Sequence, residues 1–109
     1  MVSKTTIEPG LAPITLVNVF TVKPKHQDKL VAALIEATET TIRSLDGFVS
    51  ANIHKSLDGK RVVNYAQWRS KEDFDAMMRT PKALLHMAPI LLYAKPSPHL
   101  YEVVDVQHI

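Results

Sequence analysis

The stretch Arg61-Val62-Val63-Asn64-Tyr65-Ala66-Gln67-Trp68 decides how the chain folds. It reads as a strand, because β-branched and aromatic residues cluster between an Asp58-Gly59 turn signal and Ser70, a residue suited to cap a helix. Side chains alternate along a strand, so Val62, Asn64, Ala66 and Trp68 share one face and Val63, Tyr65 and Gln67 the other. The first face therefore carries an amide and an indole among apolar groups. Burying either without a hydrogen-bond partner costs free energy, so this face is either a satisfied core pair or a site.

Working upstream, Asp58-Gly59 is a hairpin signal that pairs this strand antiparallel with Phe48 to Ser56, in which Asn52 and His54 share a face. Asp46-Gly47 closes a helix spanning about 26–44, where Leu30, Leu34, Ala37 and Thr41 recur at helical spacing beside Val31, Ile35, Thr38 and Ile42. Before it, Ile14 to Val22 forms a strand with Leu16, Asn18 and Phe20 on one face and Val17, Val19 and Thr21 on the other. Downstream, Ser70 with Asp73 resembles a capping box and starts a helix to about Arg79. Thr80-Pro81 caps and restarts helix through Leu84, Leu85 and His86 until Pro89, and a last strand runs from Leu100 to Gln107. The fold class is α+β: a ferredoxin-like β-α-β-β-α-β antiparallel sheet with helices on one face. Residues 1–13, with Pro9, Gly10 and Pro13, read as a flexible N-terminal arm free to wrap a neighbour, and 14–109 as the domain.

Composition bounds what such a domain does. A chain of 109 residues supports one hydrophobic core. Lys and Arg total 13 against 11 Asp and Glu, which gives no electrostatic footprint for nucleic acid or an acidic membrane. No cysteine is present, so thiol catalysis, thiolate metal sites and disulfides are excluded, and a cytoplasmic location is permitted. The five histidines have no zinc-ligand spacing, so no metal is expected. No apolar run approaches a membrane span or signal-peptide core.

Helices cover only one sheet face, yet the central strands are apolar on both. Val17, Val19, Val63, Tyr65, Tyr101 and Val103 would leave an open face, which a homodimer joined sheet to sheet would bury.

The strand before Lys23-Pro24, the exit Asp46-Gly47-Phe48, and a Trp closing the third strand before Ser70 resemble the antibiotic biosynthesis monooxygenase family of dimeric α/β barrels. The likeness covers about 14–106. Gly47-Phe48-Val49-Ser50-Ala51, His54, Asp58-Gly59 and Val62 to Trp68 are most similar to the cofactor-independent, quinone-forming monooxygenases of aromatic polyketide pathways. That resemblance implies Asn64 and Trp68 as the active-site pair, with His54 in a lesser role, no cofactor, and a small aromatic substrate and O2 as partners. The chain departs from the pattern where the polyketide enzymes carry a Tyr, here Phe74, and an Arg, here His86-Met87. Asn18 and His86 also fall where the haem-degrading branch places an Asn and its axial histidine, while that branch's Trp is Met77 here.

Such chemistry needs an electron-rich substrate that serves as its own reductant, together with anion-stabilising donors, a dry cavity and a proton acceptor. Asn64 and Trp68 suit the first need of the protein, Phe20, Phe74 and Met77 the second, and His86 or His54 the third. Asn18 joins them as pocket lining. Plainer roles compete: Trp68 as a core residue, Asn64 as an amide bonded to a loop, His86 as an ordinary helix histidine and Met77 as core filling. Three readings follow, namely a cofactor-independent monooxygenase, a haem-binding or haem-degrading protein using His86, and a small-ligand binder without turnover.

Overall fold

The computed structural model describes residues 3–109. β1 (Gly10–Val22) is the central strand of a five-stranded sheet. After a 3-10 turn at Pro24–His26 come α1 (Gln27–Thr40), a second 3-10 turn at Ile42–Ser44, and the hairpin β2 (Phe48–Lys55) and β3 (Arg61–Trp68). α2 (Lys71–Met78) and α3 (Pro81–Ile90) then lead to β4 (Ala94–Lys95) and β5 (Pro98–Val103). All pairings are antiparallel: β3 lies between β2 and β1, and β4 and β5 share the far side of β1. This is the expected split β-α-β-β-α-β arrangement, with the second helix and the last strand each in two pieces and the sheet open.

Local chemistry places these ends. Ser70 Oγ accepts the Asp73 N–H at 3.1 Å and caps α2. Pro81 occupies the first turn of α3. Thr80, expected to cap α3, instead donates its hydroxyl to Ala76 O at 3.0 Å. The first helix is shorter than its periodicity predicts, because Thr41 leaves helical geometry at φ −135°, ψ −61°. Gly47, at φ +83°, turns the chain into β2, and its carbonyl accepts the Arg69 N–H at 2.7 Å. β1 begins at Gly10 rather than Ile14. The arm rests in part on its own sheet: Thr5 donates to Asn52 Oδ1 at 2.9 Å and Gln67 Nε2 donates to Thr6 O at 2.7 Å. Met1 and Val2 of the predicted arm lie outside the described residues. The last strand pairs from Pro98 to Val103 instead of from Leu100 to Gln107.

The register explains the core. On the face covered by the helices, Leu16 pairs with Ala66, Asn18 with Asn64 and Phe20 with Val62. Above and below the asparagine level the face is apolar and filled. Phe20, Val22, Leu30, Leu34, Val62, Ile90 and Ala94 form one buried cluster. Leu16, Ala66, Trp68 and Phe74 form the other. Two amides set directly opposite each other thus divide the core into halves.

Candidate active site

A cavity of ≈120 Å³ lies at that division, between the sheet, α1 and the α2–α3 pair. Asn18, Phe20, Asn64, Phe74, Met77 and His86 all line it. Apolar walls with a few convergent polar groups are the ordinary make-up of a small-molecule site.

The two amides differ in their bonding. Asn18 is buried at 8% exposure, and its Oδ1 accepts the Ser97 N–H at 3.0 Å. Ser97 stands between Pro96 and Pro98, which have no N–H to give, so Asn18 serves the only backbone donor of the β4–β5 break. With its oxygen committed, the free end of this amide is the Nδ2 donor. Asn64 Oδ1 is fully buried and has no partner. Leaving a buried acceptor unpaired costs about 1–3 kcal/mol, and an acceptor facing an apolar cavity keeps that deficit until a donor enters. Opposed cross-strand residues have Cβ atoms about 5 Å apart, so the site offers a donor and an acceptor side by side.

His86 stands across from them on α3. Its Nε2 lies 3.0 Å from Thr41 Oγ1 and 3.3 Å from Thr40 Oγ1, at the end of α1. The histidine is therefore tied to the helix opposite rather than loose on the surface.

Two predicted site residues lie elsewhere. Trp68 is 1% exposed and packs edge-on against Phe48 and Phe74, with centroids 5.7 and 6.3 Å away, and does not reach the cavity. Alternation put it on the correct face, but four residues beyond Asn64 means about 13 Å along the strand. Phe74, which does line the cavity, stands between. His54 is exposed on the opposite sheet face, paired with Val63. The cause is a bulge: Phe48 pairs with Trp68 and Ser50 with Gln67, so one extra residue reverses the alternation of β2.

Sequence reasoning missed the threonines of α1 as functional groups, counting Thr38 and Thr41 only within apolar stripes. Their signal was legible. Three threonines within Thr38-Glu39-Thr40-Thr41 disfavour helix and compete for its carbonyls, which marks a helix end with hydroxyls to spend.

For the haem reading, His86 Nε2 is already held by the hydroxyls of Thr40 and Thr41, and a space of ≈120 Å³ takes neither a porphyrin nor a fused-ring molecule unless its methionine walls move. Among the described residues no three His, Asp or Glu side chains converge as metal ligands, and no helix is long and apolar enough to cross a membrane.

Comparison with known proteins gives this site a context. Tetracenomycin-F1 monooxygenase of Streptomyces glaucescens is 47% identical over 98 residues, which cover 90% of this chain and 88% of that protein. SnoaB of Streptomyces nogalater, described as a cofactor-independent oxygenase, has the same fold with a TM-score of 0.74 at 21% identity, over 87% of this chain and 96% of its own. A conserved protein of Methanosarcina mazei Go1 has it too, with a TM-score of 0.74 at 14% identity, over 84% and 93% of the two chains. The model of the antibiotic biosynthesis monooxygenases matches residues 13–88, from β1 through most of α3 and hence both asparagines and His86. The family model spans more than half of the chain and the 47% identical relative is matched along most of its length, so the chain belongs to the antibiotic biosynthesis monooxygenase family.

Proposed function

We propose that this protein is a cofactor-independent monooxygenase that oxidises a phenolic or anthrone-type aromatic substrate to a quinone with O2. The observation that carries the reading is the unpaired, buried Asn64 Oδ1 opposite Asn18 on the floor of an apolar cavity. A phenolic hydroxyl is the donor that Asn64 Oδ1 lacks, and a ring-borne oxyanion suits the free Asn18 Nδ2. The names of the 47% identical relative and of SnoaB, a monooxygenase and a cofactor-independent oxygenase, support the same class.

The chemistry balances without a redox centre. His86 takes a proton from the ring carbon to be oxidised, leaving a delocalised anion held by Asn18. The anion passes one electron to O2, and the carbon radical and superoxide combine into a peroxide. The peroxide is protonated and loses water as the second C–H proton leaves, giving C=O. One oxygen atom enters the product, the other leaves as water, and the four electrons come from the CH2 group. Phe20, Phe74 and Met77 keep water from the radical pair. The cavity is smaller than the roughly 300–1,000 Å³ of typical ligand sites, so a fused-ring substrate must displace Met77, Met78 and Met87, adaptable side chains that line it.

Aerobic incubation with an anthrone-type phenol and a chelator, with no flavin added, tests the proposal. It predicts quinone absorbance rising with one O2 consumed per quinone, one oxygen of 18O2 in the product, and no reaction without O2. A requirement for added flavin or metal, or label only from water, contradicts it.

A further inference from the structure

We infer that Thr40 and Thr41 are positioning residues that fix the tautomer of His86, holding its ring proton on Nε2 and leaving Nδ1 as the atom that accepts a proton. The inference rests on His86 being the base of the proposed reaction. It adds which nitrogen does the work and what keeps it ready.

Adjacent residues in a helix point about 100° apart and do not share a partner. Here they do, because α1 ends at Thr40 and Thr41 departs from helical geometry. Both hydroxyls reach one nitrogen, at 3.3 and 3.0 Å.

Hydrogen counting then decides the tautomer. Thr40 Oγ1 lies 2.8 Å from Glu36 O, and a carbonyl oxygen has no hydrogen, so that contact uses the single hydroxyl proton of Thr40. Toward His86, Thr40 has only lone pairs to offer. A bare Nε2 would set lone pair against lone pair at 3.3 Å, whereas Nε2–H finds two acceptors. The hydroxyl of Thr41 can donate or accept and is satisfied either way. Thr40 therefore makes the choice, and Thr41 supplies the shorter bond.

Neutral imidazole carries one N–H, so a proton on Nε2 leaves Nδ1 as a lone pair. Nδ1 has no partner among the described residues. When the ring becomes imidazolium, Nε2–H stays where it was, so taking up a proton at Nδ1 disturbs no existing bond. That is preorganisation for a base. The ionisable groups that share the outer hollow beside His86 are Glu36 and Lys29 of α1, His26 before it and Tyr93 after α3, and none of them bonds to the imidazole.

Imidazole 15N shifts of the resting protein, selectively labelled at histidine, read the tautomer without any turnover. The expected pattern for neutral His86 is a protonated Nε2 and an unprotonated Nδ1. Thr40→Val removes the lone pairs that discriminate, and Thr40 is exposed, so the fold should tolerate the change. In that variant Thr41 can donate to Nε2, the shifts should move toward a mixture of tautomers, and kcat should fall about tenfold. KM should change by less than about twofold, since Thr40 does not line the cavity. Thr40→Ser, which keeps the hydroxyl, should restore both the shifts and kcat. A wild type with its proton on Nδ1, or a Thr40→Val variant with unchanged shifts, overturns the inference. The predicted shifts in a protein that makes no quinone would leave the tautomer assignment standing and remove the proposed reaction.

Discussion

Asn64 occupies a place where an apolar side chain would close the core, and the molecule is organised around that exception. Its level on the sheet is matched by Asn18, and each amide is flanked along its strand by buried apolar residues, Leu16 and Phe20 on β1 and Val62 and Ala66 on β3. Their shared face was legible in the sequence, because alternation fixes it, but their common level was not, because no tight turn joins β1 to β3 to set the register. What alternation could not give was depth along the strand or a break in phase. Trp68 lies on the same face but away from the cavity, and His54 is turned outward by a bulge that no residue pattern announces. The bonding of each amide was also invisible. Asn18 holding Ser97 while Asn64 Oδ1 holds nothing depends on the link between β4 and β5, 79 residues from Asn18 along the chain.

At the scale of elements, the turn from β3 into α2 is held by charge as well as by packing. Arg69 donates to Asp73 from Nε at 2.8 Å and from Nη2 at 2.9 Å, and Ser70 adds its hydroxyl at 2.8 Å. The guanidinium first, and the hydroxyl after it, hold the Asp73 carboxyl below its ordinary pKa of 3.8. Gly47 lies against the same carboxylate, so Gly47→Ala would force a positive φ on alanine and drive its Cβ into Asp73. The stability contributed by Asp73 should be fully present above about pH 4 and be lost as pH falls through its lowered pKa. Urea midpoints of wild type and Asp73→Asn, measured from pH 7 to 2.5, should therefore differ most near neutrality and converge in acid. Parallel curves would show that this ion pair does not couple folding to pH. The capping pattern was readable from Ser70 and Asp73, whereas the part played by Arg69 needed the geometry of the turn.

At the scale of the whole molecule, the helices close one sheet face and leave the other with Val17, Val19, Val63 and Tyr65 half-buried and Tyr101 exposed. We propose that a second copy covers this face. Sedimentation equilibrium should then give twice the 12.2 kDa mass, and Val19→Lys should reduce it to a monomer. A monomeric wild type would refute that arrangement. We propose that the divided core exists for a ligand and not for the fold. It is tested most directly by Asn64→Leu, measured for both unfolding free energy and the initial rate of quinone formation. Filling the division with an apolar side chain removes the unpaired oxygen, so stability should stay within about 1 kcal/mol of wild type or rise. The rate should fall at least about a hundredfold. A variant that loses stability yet makes quinone at the wild-type rate would show that Asn64 serves the core alone.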